Sequence, residues 1–156
     1  MNKTNAMRLL EQAGIKFETA EYEVDESDLS GVSVAKKTGL DPDSVFKTLV
    51  ARGEKKGIAV FCIPVTGELD LKKAAKAVGE KKIEMVHVKE LLPLTGYIRG
   101  GCSPVGMKKQ YPTFIDETAV LFDHIAVSAG VRGAQIVIDP DDLAGFVEAK
   151  MLDLLM

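Results

Sequence analysis

The chain has 156 residues, of which 46% are hydrophobic and 28% are charged, and these proportions exclude a disordered or a fibrous protein. The length is typical of one domain, so we expect residues 1–156 to fold as a single domain. The net charge of −3 argues at first against a nucleic-acid partner, but residues 1–35 carry −4, residues 36–109 carry +7 and residues 110–156 carry −6. A basic centre between two acidic ends can mark an anionic partner.

Hydrophobic spacing and capping residues predict the elements of the first half of the chain. In order, these are a helix at 4–14, a strand at 17–24, a helix at 33–38 and strands at 45–51 and 58–64. Thr4 and Ser33 are the predicted helix caps, because a side-chain oxygen at that position accepts a main-chain N–H bond. Gly53 and Gly57 bound the turn between the two apolar strands, which predicts a β-hairpin.

The second half predicts shorter elements. They are a helix at 70–78, a strand at 82–86, a helical turn at 88–92, strands near 113–115, 125–128 and 135–138, and a final helix. Asp70 and Asp139 are the predicted caps of the two helices, and Pro93 is expected to limit the helical turn. Helices and strands are interspersed without regular βαβ spacing, which predicts a mixed α+β domain.

The sequence predicts neither a membrane segment nor a metal centre. The longest apolar run, at 58–65, is much shorter than the about 20 residues that a membrane-spanning helix needs. The N-terminus has no apolar signal region, and Cys62 and Cys102 stand far apart outside any CxxC motif. With only two histidines to add, we predict no metal and no cofactor. Reduced thiols and the missing signal predict a cytoplasmic protein without membrane partners.

A lysine lies within the first apolar strand. Because side chains alternate along a strand, Lys47 shares its face with Val45 and Leu49, whose side chains favour burial. A buried lysine costs free energy unless it meets an anion or shifts its pKa. Either Lys47 extends its ammonium to the rim of the sheet, or it lines a pocket for an anionic or carbonyl ligand.

The loop at 100–106 is rich in glycine and carries one proline. Glycine allows main-chain N–H groups to approach a ligand, and paired N–H groups can hold a phosphate or an oxyanion. Such a cluster is also typical of an ordinary turn. Lys108 and Lys109 follow directly, which favours an anionic ligand slightly.

Four motifs in this order closely resemble the YbaK family of free-standing trans-editing deacylases. They are VFKTL at 45–49, LKKAA at 71–75, GGCSPVGMKK at 100–109 and VSAGVRG at 127–133. The family is similar to the editing domain inserted in bacterial prolyl-tRNA synthetase. The resemblance extends from about residue 5 to residue 152, and it implies an α+β fold with a mixed, partly barrel-like β-sheet, surrounding helices and a pocket.

The resemblance also implies an activity and a set of site residues. The implied reaction is deacylation of Cys-tRNA(Pro), and of Cys-tRNA(Cys) as a further substrate, with prolyl-tRNA synthetase as an expected partner. Lys47 matches the family's functional lysine, and Gly101 matches the loop glycine whose backbone is placed against the substrate carbonyl. The predicted substrate-binding residues are Tyr22, Thr48, Gly100, Ser103, Pro104, Gly106 and Ser128. The predicted contacts to the tRNA backbone are Lys72, Lys73, Lys108 and Lys109.

The chemistry explains why few catalytic groups are needed. Proline and cysteine are similar in volume, and one methylene is worth only about 1–3 kcal/mol of discrimination, so a synthetase pocket admits errors. Main-chain N–H groups near Gly101 are expected to stabilise the oxyanion of the ester. The family's reaction is understood to use the thiol of the substrate cysteine, so Cys102 is not expected to be the nucleophile, and Lys47 is expected to hold the terminal phosphate or ribose.

Other classes remain open at this point. A serine hydrolase would need Ser103 or Ser128 beside His87 or His124, and no GxSxG motif is present. A thiol hydrolase would need Cys102 beside a histidine. A binding module for RNA ends or nucleotides would use the same lysines without catalysis, and lysine pairs are often only solvated faces. Within the family, deacylation of Ala-tRNA(Pro) is the nearest alternative.

Overall fold

This computed structural model describes residues 2–156. The helices are α1 Asn5–Gln12, α2 Gly31–Thr38, α3 Leu71–Val78, α4 Val88–Thr95 and α5 Pro140–Val147. A residue in the left-handed conformation ends four of these five helices, and α1 instead ends at Ala13 in the right-handed region. Thr4, Asp70 and Asp139 accept N–H bonds as caps, as predicted. Within residues 2–156, no helix is long and apolar enough to cross a membrane.

The strands form two sheets. They are β1 Glu18–Glu21, β2 Phe46–Gly53, β3 Gly57–Pro64, β4 Ile83–Met85, β5 Thr113–Asp116, β6 Ile125–Ser128, β7 Ala134–Ile138 and β8 Lys150–Leu152. The smaller sheet has the antiparallel order β1-β7-β6, and the larger has the order β4-β2-β3-β5-β8. In the larger sheet, β5 runs parallel to both β3 and β8. The mixed α+β prediction is therefore confirmed.

A single bridge joins the two sheets and leaves a gap beside β2. Val45, just before β2, pairs in parallel with Ala126 of β6. On the same side of β2, strand β4 pairs only from Ala51 to Gly53. Residues 47–49 therefore pair with β3 on one side. On the other side they pair with neither β4 nor β6. This open edge of β2 positions the site described below.

Two main apolar clusters hold the sheets and helices together. One contains Leu10 of α1, Ile136 of β7 and Leu143 of α5, each fully buried. The other contains Phe61 of β3, whose ring stacks on Phe114 with 5.5 Å between the centroids. Complete burial of side chains this large contributes about 1.5–3 kcal/mol each to the free energy of unfolding.

Three local predictions differ from the structure. The cap of α2 is Ser30 instead of Ser33, since Ser30 Oγ accepts the Ser33 N–H bond at 3.2 Å. Helix α4 continues through Pro93 to the residue before Gly96, because the terminator is the left-handed conformation of Gly96 with φ of 87°. Strand β8 was not predicted, because its three residues acquire strand geometry only by pairing with β5.

Candidate active site at the open edge of β2

A cavity of about 420 Å³ lies against the open edge of β2. Its walls come from β2, from the start of α2, from residues 85–91 around the start of α4, from the loop at 99–102 and from the facing ends of β6 and β7. Two more open depressions, of about 490 and 630 Å³, contain none of the predicted site residues. The cavity beside β2 is therefore the candidate site.

Lys47 lines this cavity with a partly buried side chain. Within residues 2–156, its ammonium makes no hydrogen bond and no ion pair. The strand is central, with β3 on one side and β4 on part of the other, as the apolar character of both faces predicted. A cation without an internal partner at the wall of a cavity is available to an anionic or carbonyl ligand.

Thr48, Gly100 and Ser128 also line the cavity, as predicted. The Thr48 Oγ1 atom lies 3.8 Å from Cys62 Sγ, and Ser128 Oγ accepts the Gly130 N–H bond at 3.1 Å. Each hydroxyl is thereby oriented by a neighbour inside the chain.

The main chain of β2 adds further polar groups to the site. The carbonyl of Val50 accepts the Val86 N–H bond on the open side of β2. Since main-chain direction alternates along a strand, the N–H and C=O groups of Thr48 point to that same side, where neither β4 nor β6 pairs with them. The open edge therefore offers one donor and one acceptor beside Lys47.

Gly101 lies behind the cavity wall, between two residues that line it. Its N–H group donates to the Ile98 carbonyl at 2.9 Å, so this N–H is engaged inside the loop, and the stabilisation of an oxyanion by N–H groups near Gly101 stays a prediction. A Cβ atom here would lie 3.2 Å from main-chain atoms of Val131 and Arg132. Glycine therefore allows the loop to pack closely against the turn after β6.

The remaining loop residues are structural in this arrangement. Ser103 is fully buried, and its Oγ accepts the Val105 N–H bond at 3.2 Å. Pro104 is buried beside it, and Gly106 has a left-handed φ of 79° close to the Tyr97 hydroxyl. None of these three lines the cavity, and their contact with substrate stays a prediction.

Tyr22 and the predicted tRNA-backbone lysines also lie away from the cavity walls. The Tyr22 N–H group donates to the Gly133 carbonyl at 3.0 Å. Lys73 binds Asp153 at 2.8 Å and the Leu155 carbonyl at 2.6 Å, so its ammonium is engaged within the chain. Lys72, Lys108 and Lys109 are exposed and stay available to a large ligand beyond the cavity.

Sequence reasoning missed several residues of the cavity. Arg99 and His87 line it, and Arg99 adds a second cation to that of Lys47. Exposed apolar side chains, Val32, Met85 and Val88, form part of its rim. Gln135 was also missed, although its position among the four apolar residues of β7 was a usable signal.

Neither cysteine is prepared to act as a nucleophile. Cys102 lines the cavity, but burial raises the pKa of its thiol to about 11, and the thiolate is the reactive form. Burial likewise raises the pKa of Cys62 to about 12. Within residues 2–156, no histidine hydrogen bonds to Ser103 or Ser128, and no three metal-ligating side chains cluster.

Comparisons with other sequences identify relatives of the chain. The model of the aminoacyl-tRNA editing domain matches residues 29–146, which include most of the cavity wall. A protein of Enterococcus faecalis named "Putative Cys-tRNA(Pro)/Cys-tRNA(Cys) deacylase EbsC" is 48% identical over 152 residues, covering 97% of this chain and 93% of that protein. The uncharacterised protein YwhH of Bacillus subtilis is 26% identical over 87% of this chain and 82% of its own length.

Solved structures share the whole fold. A crystal structure of "a putative trans-editing enzyme for prolyl tRNA synthetase" superposes with a TM-score of 0.85 and 26% identity, covering 99% of both chains. The hypothetical protein APE2540, at 18% identity and a TM-score of 0.86, covers 96% of this chain and 97% of its own, and it supports the fold alone. With a family model that spans most of the chain and a relative of 48% identity, the chain belongs to the aminoacyl-tRNA editing domain family.

Proposed function

We propose that this chain is an aminoacyl-tRNA deacylase that clears Cys-tRNA(Pro) and also acts on Cys-tRNA(Cys). The observation that carries the proposal is a basic cavity with an unpartnered Lys47 and no nucleophile–base pair among the described residues. The family and the name of the Enterococcus faecalis relative support the substrate class. The proposal treats residues 1–156 as one editing domain, since the structural likeness extends over 99% of the chain.

A substrate thiol can supply the nucleophile that the protein lacks. In a cysteinyl ester, the sulfur attacks the ester carbonyl of its own residue, forming an S–C bond in a four-membered thiolactone. The bond between the carbonyl carbon and the ribose oxygen breaks, the thiol proton passes to solvent, and the ribose oxygen leaves as a hydroxyl. The released thiolactone is then hydrolysed by water. The protein contributes positioning and charge stabilisation to this sequence.

The cavity offers groups suited to each part of that ester. Lys47 and Arg99 provide positive charge for the terminal phosphate and for the developing oxyanion. We assign the ester carbonyl to the N–H group of Thr48 at the open edge of β2 instead of to Gly101, whose N–H is occupied. The apolar rim formed by Val32 and Val88 suits the face of the terminal adenine.

Recognition of the tRNA body is assigned to weaker contacts and to a partner. Lys72, Lys108 and Lys109 are exposed cations outside the cavity. There they can bind phosphates with an affinity that falls as the salt concentration rises. We propose that prolyl-tRNA synthetase presents the mischarged tRNA, which is supported by the description of a structural relative as a trans-editing enzyme for that synthetase.

A deacylation panel tests the proposal. Wild type and Lys47→Met are assayed on Cys-, Ala- and Ser-tRNA(Pro) and on Cys-tRNA(Cys). Each aminoacyl-tRNA incubated without the protein gives the baseline for spontaneous hydrolysis. We expect rapid release from the two cysteinyl substrates only. Release of alanine but not cysteine would assign the Ala-tRNA(Pro) branch, and binding without release from any substrate would assign a non-catalytic module.

A further inference from the structure

Gln135 of β7 is a polar residue in the wall of the cavity, and the proposed reaction assigns it no role. Its side chain is 5% exposed, and it lines the cavity beside β2. Among the buried side-chain atoms of residues 2–156, Gln135 Oε1 is the one that has no hydrogen-bond partner. A buried acceptor without a partner carries a desolvation cost that a ligand donor can remove.

The strand register places Gln135 next to known parts of the site. Gln135 is the cross-strand partner of Ser128 in the β6–β7 pair, and such partners have Cβ atoms about 4.5–5.5 Å apart on one face. Ser128 Oγ already accepts a bond from Gly130. On this wall, Gln135 Oε1 is thus the buried acceptor that has no hydrogen bond at all.

A neighbouring strand in the cavity wall carries positive charge. Lys47 shares its face of β2 with Val45, and Val45 packs in one cluster with Ala126 and Val137. Ala126 and Val137 share their faces of β6 and β7 with Ser128 and Gln135. Lys47 and Gln135 thus border the same cavity from different strands, one as a cation and the other as a neutral acceptor.

We propose that Gln135 Oε1 accepts a hydrogen bond from the α-ammonium group of the aminoacyl ester, an inference that rests on the proposed deacylase function. The described residues that line the cavity include no Asp or Glu, so a bound ammonium must be held by neutral acceptors. Lys47 and Arg99 repel that ammonium. Attraction at Gln135 and repulsion at Lys47 together orient the amino acid, with its ester towards Lys47 and its amine towards β7.

The test compares two substrates and two variants. Cys-tRNA(Pro) is compared with 3-mercaptopropionyl-tRNA(Pro), which keeps the thiol and the ester and lacks only the amine. Gln135→Leu removes the acceptor at similar volume, and Gln135→Glu retains it. Because a hydrogen bond to a charged group is among the stronger ones, we expect Gln135→Leu to lower kcat/KM for Cys-tRNA(Pro) by about 10- to 100-fold. We expect it to change kcat/KM for the amine-free substrate by less than about threefold, and Gln135→Glu to preserve the preference for the amine.

Four outcomes decide the inference. Equal losses of kcat/KM on both substrates in Gln135→Leu would overturn it, because the side chain would then serve another part of the ester or the fold. A Gln135→Glu variant as impaired as Gln135→Leu would show that Gln135 acts as a donor. If Gln135→Leu does not fold, Gln135→Met replaces it in the same comparison. A wild-type protein that releases neither substrate would instead overturn the proposed function, whereas normal wild-type release with no variant effect would overturn the role of Gln135 alone.

Discussion

Polar groups in the cavity beside β2 and in the contact between α3 and the C-terminal segment differ in whether they have bonding partners. In the cavity, Lys47 and Gln135 Oε1 have no partner within residues 2–156. At the other contact, Lys73 binds both Asp153 at 2.8 Å and the Leu155 carbonyl at 2.6 Å. Polar groups whose bonds are complete stabilise the fold, and groups left incomplete at a cavity wall are available to a ligand.

The comparison shows why lysine content alone was a poor guide to the site. Lys47 and Lys73 both lie within regular elements of the basic central segment. The ammonium of Lys73 forms an ion pair with Asp153, which is distant in sequence. The ammonium of Lys47 forms no ion pair among residues 2–156. The charge pattern indicated residues 36–109, which include both lysines, and the partners of each lysine then distinguished their roles.

Matched replacements of the two lysines have the largest expected effect. Lys47→Met keeps the aliphatic stem and removes the charge, and we expect deacylation of Cys-tRNA(Pro) to slow by about 100-fold, as for loss of an electrostatic stabiliser. Lys73→Met is expected to leave that rate unchanged, because its ammonium is already bound to Asp153. Single-turnover rates of the two variants measure the contrast.

Thermal melting provides the control for this pair. Lys47→Met should melt at or above the wild-type temperature, because it removes a cation without a partner from a partly buried position. Equal rate losses in both variants would contradict the comparison, since they would mean that general positive charge and not the cavity lysine promotes the reaction.

The second prediction concerns a carboxylate beneath the C-terminal segment. Asp116 is 1% exposed, and its Oδ1 accepts the N–H bond of the buried Leu154 at 2.9 Å. Asp116→Ala leaves that N–H without a partner, so we expect a loss of about 1–3 kcal/mol in the free energy of unfolding. Urea titration measures it, with Asp123→Ala as the control, since Asp123 is exposed and forms no side-chain hydrogen bond or ion pair among residues 2–156. A loss no larger than that of the control would show that water replaces the carboxylate.

The smallest expected effect is at the cavity cysteine. Burial raises the pKa of Cys102 to about 11, so at neutral pH the group is a thiol and its nucleophilicity is low. We therefore expect Cys102→Ser to keep the deacylation rate within about threefold, and the wild-type thiol to react with iodoacetamide only as the pH approaches about 11. Abolished deacylation in a folded Cys102→Ser variant would reinstate a thiol hydrolase and weaken the substrate-thiol mechanism.

Local physical chemistry made much of the fold predictable. Thr4, Asp70 and Asp139 cap their helices as expected, because a cap needs only its own side chain and the next three residues. The β2–β3 hairpin follows from two apolar runs and the glycines that bound its turn. Lys47 was visible from the sequence because a charge stood out within an apolar strand.

Contacts between distant segments decided the rest. The sequence by itself determined the elements, the basic centre and the family motifs, since these depend on neighbouring residues. Only the tertiary structure decided that Asp153 binds the ammonium of Lys73 and that the N–H of Gly101 donates to a carbonyl of its own loop. It also decided that the β6–β7 register sets Gln135 beside Ser128 at the open edge of β2. Whether a polar group has a partner depends on segments brought together by folding, and no local pattern contains that information.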